Sequence, residues 1–150
     1  MKRERRRVRS LALQALYEVD SVGHPAAAVI ARVIEENSSL STDALNFFRL
    51  LVLGTEKSKN ELDRIIADSA PEWPVDELAI IDRSVLRLAL WELLVSEGTP
   101  LKVVINEAVE LAKRYGSSSA PRFVNGVLGT IATQKQELRH KIPRISEEAS

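Results

Sequence analysis

The sequence predicts an all-α protein, a compact helical bundle of about seven helices in two packed subdomains. Apolar residues recur at the helical period along almost the whole chain, and no stretch alternates with the period of two that strands require. The best internal boundary lies at residues 71–74, where two prolines in four residues end one helix and start another. With 150 residues, the chain is long enough to bury a core without disulfides or metals.

The first half of the chain is expected to hold four helices. The first helix is predicted from one apolar face, formed by Val8, Leu11, Ala12, Ala15 and Val19. The basic N-terminus runs into this pattern without a break and is expected to form the first turns of the helix. After a loop at residues 21–25, the second helix is predicted over Ala26–Glu36. A third starts at Ser41 or Thr42, which can cap it, and runs to about Gly54. The fourth is predicted over residues 57–69.

The second half is expected to hold three helices. Residues 75–95 are apolar on most sides, which is typical of a central helix packed by several neighbours. The next helix is predicted over Leu101–Tyr115, and Pro121 opens the last. Residues 1–140 should form one helical domain, with subdomains of about 1–70 and 74–140, followed by a frayed C-terminal tail at 141–150.

Charge is distributed unevenly along the chain. The whole chain is formally neutral, yet residues 1–9 carry +5, since Glu4 alone opposes six basic residues: Lys2, Arg3, Arg5, Arg6, Arg7 and Arg9. The planar arginine fork suits phosphate and stacks on bases, so the cluster favours nucleic-acid binding. The alternative is a solvated or disordered basic arm. Helical phase places the cluster on the first turns of a helix, with Arg5 and Arg9 on one face.

Several classes of chemistry are not expected. The chain has no Cys, and its two histidines, His24 and His140, are far apart in sequence, so no metal site or thiol chemistry is predicted. Glu107 and Glu110 lie three residues apart but lack the histidine of a di-iron motif. No catalytic motif occurs, so neither an enzyme nor a cofactor is expected. No apolar run approaches the roughly 20 residues of a membrane span, which favours a cytoplasmic protein.

Four blocks of residues carry a resemblance to a known family. The first is Arg-Arg-Arg-Val-Arg at 5–9, leading into Leu-Gln-Ala-Leu-Tyr at 13–17; the others are residues 82–89 with 92–93, Pro100 with 104–113, and Phe-Val-Asn-Gly-Val-Leu at 123–128. In this order they resemble the NusB family of bacterial transcription antitermination factors, over about residues 3–132. The resemblance implies two packed helical subdomains. It also implies binding of the single-stranded boxA element of nascent ribosomal RNA together with NusE, a small-subunit ribosomal protein, so that RNA polymerase resists termination.

The resemblance also implies site residues. RNA contacts are expected at the basic cluster and at four further positions: Tyr17, Arg87, Phe123 and Asn125. Contacts with the basic protein NusE are expected at Asp82 and its acidic neighbour Glu77. Arginine would pair with phosphates, while Tyr17 or Phe123 would stack on unpaired bases.

The residues alone leave some of these roles open. Tyr17 lies off the apolar stripe, which favours exposure, whereas apolar neighbours favour a core position for Phe123. Arg87 fits a structural ion pair and an RNA contact equally well. Gly126 inside a helical pattern indicates either close helix packing or close approach of RNA.

Two other functions are compatible with parts of this sequence pattern. NusB-like domains also occur in rRNA cytosine methyltransferases, but 150 residues leave no room for a methyl-donor domain, and no Cys is present as nucleophile. The other alternative is a dimeric helical scaffold with its RNA face covered. The sequence does not distinguish a monomer from a homodimer.

Overall fold

The computed structural model describes residues 2–96 and 98–142, and within them the chain forms eight α-helices and no strand. The helices are α1 Lys2–Val22, α2 Ala26–Glu36, α3 Thr42–Lys57, α4 Lys59–Ser69, α5 Ile80–Val95, α6 Leu101–Tyr115, α7 Ala120–Ala132 and α8 Lys135–Arg139. The all-α prediction is confirmed. The side chain of Lys2 and most of the predicted C-terminal tail lie outside the described residues.

The structure differs most from the sequence prediction at the start of the central helix. It was predicted from residue 75, but Val75–Glu77 form a separate 3₁₀ turn and α5 begins at Ile80. Leu78 and Ala79 between them are extended, with ψ of 148° and 141°. The five-residue helix α8 was also missed, because one turn and a half carries little periodic signal.

Helix α5 is the centre of the bundle, as its apolar surface predicts. It packs against α1, α3, α4, α6, α7 and α8. Contact with α3 is so close that a Cβ at Gly54 would overlap the ring of Trp91. Any side chain at Gly54 would therefore force Trp91 or one of the two helices to shift.

Three helices start at the same end of the bundle. Glu4 contacts Ser41 before α3, and Arg9 lies near Phe47 one turn further along, so α1 and α3 run parallel. The pairs Arg6–Glu107 and Ser10–Tyr115 likewise make α1 and α6 parallel. Helix α5 runs the opposite way. The first turns of α1, residues 3–9, are called the basic end below.

The predicted boundary at residues 71–74 is a loop between α4 and the 3₁₀ turn. One continuous core nevertheless includes buried residues from both sides of it, from Val8 to Ile142. The division into two subdomains stays a prediction. None of the helices in the described part of the chain has the length and apolar character needed to cross a membrane.

Candidate nucleic-acid interface

The basic end is helical, as its periodicity predicts, and it presents most of its arginines to solvent. Arg3, Arg5, Arg6 and Arg7 are exposed, whereas Arg9 is buried. Within residues 2–96 and 98–142, no ion pair involves Arg3, Arg5 or Arg7. The cluster is therefore an exposed, positively charged helix start.

Arg9 forms a buried ion pair with Glu92 of α5. Its Nε and Nη2 donate to the two carboxylate oxygens at 2.9 and 2.7 Å. The two side chains expose only 6% and 2% of their surface. This two-point geometry compensates the desolvation of both charges. The pairing partner was not predicted, although an acid within the most apolar helix was a usable signal.

Phe47 of α3 lies under two arginines of the basic end. The guanidinium carbon of Arg5 is 4.3 Å from the ring centroid, and that of Arg9 is 5.4 Å away. Phe47 is 8% exposed. Both distances are within the range of cation–π attraction.

The other residues of the basic end bind neighbouring helices through polar groups. Nη2 of Arg6 donates to Glu107 at 3.0 Å, and this hydrogen bond raises the pKa of Arg6. Nη2 of Arg7 donates to the Asn37 side chain at 2.9 Å. These contacts orient the guanidinium groups while leaving N–H donors toward solvent.

Glu4 joins the first turn of α1 to the start of α3. Its carboxylate accepts hydrogen bonds from the backbone N–H and the hydroxyl of Ser41, both at 2.9 Å, and these bonds lower the pKa of Glu4. The Ser41 hydroxyl oxygen in turn accepts from the Ala44 N–H, so Ser41 caps α3 as predicted.

A groove of about 490 Å³ lies between the basic end and α6. Its lining combines three guanidinium groups and one carboxylate with an apolar wall and an amide: Arg5, Arg6, Arg9, Glu107, Pro100, Val103 and Asn106. Val103 is 40% exposed. Such a lining suits a ligand with anionic and flat apolar parts.

A second groove, of about 780 Å³, separates α1 from α2. Tyr17 lies in it and exposes 44% of its surface, in agreement with its position off the apolar stripe. Gln14, Asn37 and Tyr115 also line it. Because Asn37 holds Arg7, this groove continues from the basic end.

Tyr115 lies on the α6 side of this second groove. Its hydroxyl is 2.6 Å from that of Ser10, a hydrogen bond that lowers the pKa of Tyr115 against the opposing effect of burial. The wall of the groove near α6 is thus held by a defined polar contact.

Arg87 lies in an acid cluster on the α4 side of α5. Its Nε and Nη2 donate to the two Asp63 oxygens at 2.7 Å each, and its Nη1 lies 3.3 Å from Asp20. Arg83 also donates to Asp20, at 2.9 Å. Burial would raise the pKa of Asp20, but the two arginines outweigh it and lower that pKa. The structural ion pair is confirmed, and an RNA contact by Arg87 stays a prediction.

Phe123 and Asn125 occupy α7. Phe123 is half-buried, and its ring centre is 5.5 Å from that of Trp73 at an interplanar angle of 61°. Trp73, which is 55% exposed, was not predicted as a site residue. Asn125 is exposed, and a Cβ at Gly126 would meet no atom within 4 Å, so the close-packing interpretation of Gly126 is wrong.

The two predicted partner residues differ in accessibility. Asp82 is 7% exposed, and both its oxygens are bonded to Ser117, to the backbone N–H at 3.2 Å and to the hydroxyl at 2.8 Å. It therefore holds the loop between α6 and α7. Glu77 is exposed in the 3₁₀ turn. Contacts of either residue with NusE stay a prediction.

The described residues contain no group of three potential metal ligands. His24 and His140 are both exposed, and His24 lies 2.7 Å from Glu18.

Fold and site together define an all-helical protein whose main charged surface is an arginine-rich helix start. The model of the NusB family matches residues 6–133. A relative from Roseiflexus sp. (strain RS-1), named transcription antitermination protein NusB, is 50% identical over 137 residues, which are 90% of this chain and 96% of the relative. The protein of the same name from Chloroflexus aggregans is 50% identical over 133 residues, or 87% and 88% of the two chains.

Solved structures show the same similarity. NusB of T. maritima matches with a TM-score of 0.81 and 30% identity, covering 91% of this chain and 96% of that one. A complex of the antitermination factors NusB and NusE with double-stranded RNA matches with a TM-score of 0.79 and 30% identity, covering 89% and 99%. The chain belongs to the NusB family, so the resemblance seen in its sequence blocks is confirmed.

Proposed function

We propose that the protein is a transcription antitermination factor that binds boxA-type RNA in nascent ribosomal transcripts through its basic end. Together with NusE, it helps RNA polymerase to resist termination. The observation that carries this proposal is the group of exposed arginines on one helix start: Arg3, Arg5, Arg6 and Arg7. Relatives that match over 88–96% of their own length bear the antitermination name, which favours this function over a methyltransferase module.

In the proposed complex, the exposed arginines pair with consecutive phosphates. Arg5 and Arg7 have no ion-pair partner in the described structure, so RNA does not have to displace an acid from them. Arg6 shares its charge with Glu107. Arg9, which donates from Nε and Nη2 to the buried Glu92, acts by holding the helix in place.

Bases that leave the basic end reach the groove between α1 and α2. The exposed Tyr17 ring can stack on an unpaired base there, a contact worth about 1–3 kcal/mol. This favours single-stranded RNA, whose bases are free to stack. The related solved complex holds double-stranded RNA, so strandedness has to be tested directly.

The partner in this proposal is NusE, which is present with NusB in the related complex. The exposed Glu77 offers a basic protein a negative contact, while Asp82 shapes the adjacent loop. The function is binding rather than catalysis, and its target, the nascent bacterial transcript, places it in the cytoplasm.

Fluorescence anisotropy tests this proposal. A labelled boxA oligomer, a scrambled oligomer and a boxA duplex are titrated with the protein, each with and without NusE. We expect tightest binding of the single-stranded boxA oligomer, a gain with NusE, and a slope of log K against log salt near about −3 for four phosphate contacts. A flat salt response or equal binding of the scrambled oligomer contradicts RNA recognition, and equal affinities with and without NusE contradict the partner role.

A further inference from the structure

We propose that Phe47 is a positioning residue for RNA binding, because its ring holds the Arg5 guanidinium at the mouth of the groove between α1 and α6. This inference rests on the proposed function. The guanidinium carbon of Arg5 lies 4.3 Å from the ring centroid, and Arg5 lines that groove. Phe47 itself is only 8% exposed, so it acts through Arg5 rather than by stacking on a base.

The chemistry of the contact leaves Arg5 free to bind phosphate. A guanidinium group is flat, and it stacks through its face while its N–H donors point outward from its edge. The guanidinium carbon of Arg5 lies over the Phe47 ring, and Arg5 donates no hydrogen bond within residues 2–96 and 98–142. In contrast, the Arg9–Glu92 pair occupies N–H donors, two of which are bonded to the carboxylate. An aromatic partner thus fixes an arginine without consuming the groups that bind RNA.

The surrounding contacts fix the ring relative to α1. Glu4 binds the start of α3 through Ser41, one and a half turns before Phe47. Arg9 is locked by Glu92 and lies 5.4 Å from the same ring. The Glu4–Ser41 hydrogen bonds therefore position α3, which carries Phe47, and the ion-paired Arg9 lies beside the ring. Of the two cations near Phe47, Arg5 is the one exposed to solvent.

Ordering Arg5 before RNA arrives increases affinity, because a free arginine loses side-chain entropy when it binds. Substitution of Phe47 by Leu keeps an apolar side chain but removes the π face. We expect this variant to bind boxA RNA about two- to fivefold more weakly, the change that corresponds to an exposed cation–π contact.

The neighbouring Phe48 offers a matched control. It lies on the same helix, is 1% exposed, and no arginine of the described residues lies over its ring. Phe48→Leu removes a comparable buried ring. Phe47→Tyr keeps the π face and should restore binding. Circular dichroism defines a temperature at which every variant is folded.

The experiment measures boxA affinity for these variants alone and combined with Arg5→Ala, together with the NMR shifts of the Arg5 side chain. We expect Phe47→Leu to weaken binding and to have no further effect once Arg5 is Ala. In the unsubstituted protein, the ring current of Phe47 should shift the resonances of the Arg5 Cδ protons upfield. This upfield shift should be absent in Phe47→Leu. If Arg5→Ala weakens binding but Phe47→Leu does not, or if Phe48→Leu weakens it equally, the positioning role is overturned. Unshifted Cδ protons overturn it as well, and unchanged binding of Arg5→Ala contradicts the proposed RNA contact itself.

Discussion

The basic end and the acid cluster of α5 use the same residue type in opposite ways. At the basic end, the exposed Arg5 and Arg7 have no acidic partner in the described residues, whereas Arg87 in the acid cluster is bonded to two aspartates. The partners of Arg87 come from 24 and 67 positions away in sequence. The role of an arginine is therefore decided by which helices pack around it, and not by its own helix.

Arg9 shows that position in the sequence does not decide whether an arginine is exposed or ion-paired. It belongs to the basic end by position, yet its ion pair with Glu92 is more buried than any contact of Arg87. Measuring both the free energy of unfolding and the RNA affinity of each variant thus distinguishes arginines that stabilise the fold from arginines that bind RNA.

The largest effect is expected at Arg9. Arg9→Ala leaves the buried Glu92 carboxylate without its partner, which should lower the free energy of unfolding by about 3–5 kcal/mol. Urea unfolding measures this change. Replacing both residues, in Arg9→Met with Glu92→Leu, should recover most of the loss, because no unpaired charge remains. If Arg9→Ala is as stable as the original protein, the buried pair does not stabilise the fold.

A smaller loss is expected at Arg87, whose partners are partly open to solvent. Arg87→Ala should lower the free energy of unfolding by about 2–3 kcal/mol, since Asp63 and Asp20 lose charged hydrogen bonds. Affinity for boxA RNA, measured at a temperature where the variant is folded, should stay within about twofold. A tenfold loss of affinity would instead place Arg87 in the RNA site.

The exposed arginines should show the reverse pattern. Combining Arg5→Gln with Arg7→Gln should lower the free energy of unfolding by only about 1 kcal/mol, because Arg5 loses its contact with the Phe47 ring and Arg7 its hydrogen bond to Asn37. The slope of log K against log salt should become shallower by about 1.4, because two phosphate contacts are lost. Arg64→Gln on α4, also exposed, serves as control and should leave the slope unchanged.

The smallest effect concerns an exposed ion pair and depends on pH. Hydrogen bonds from Arg32 and His24 lower the pKa of Glu18 to about 2. The pair therefore stabilises the protein above the ordinary Glu pKa of about 4.5, and this contribution is lost as pH falls toward about 2.

Urea midpoints at about pH 5 and about pH 3 test this effect. Between these two pH values, the urea midpoint should fall less in Glu18→Gln than in the original protein. Glu35→Gln, which replaces an exposed acid on α2, serves as the control. Parallel pH dependence of the original protein and Glu18→Gln would mean that the exposed pair does not contribute.

Sequence predicted the helices well and the site only in part. Periodicity located α2 and α6 to the residue, because their apolar faces are regular and each starts directly after a proline. It also placed Tyr17 outside the core. Burial of Arg9 and the contact of Phe47 with Arg5 could not be predicted, since each depends on a residue from another helix.

The 3₁₀ turn was missed for a related reason. The apolar pattern continues through residues 75–79, and the break comes from the extended backbone of Leu78 and Ala79, which the hydrophobic period does not record. Similarly, the loop-holding role of Asp82 depends on Ser117, 35 positions later.

The common starting end of α1, α3 and α6 has a kinetic consequence. Peptide dipoles place partial positive charge at the start of α1, beside its guanidinium groups, while the end of α5, which runs the opposite way, brings partial negative charge to the same pole. Residues 10–150 carry the balancing −5. The exposed arginines of the basic end therefore attract an approaching polyanion and favour encounters in which α1 leads. Orientation before contact raises the rate of productive encounter, and added salt should slow association with RNA well before it accelerates release.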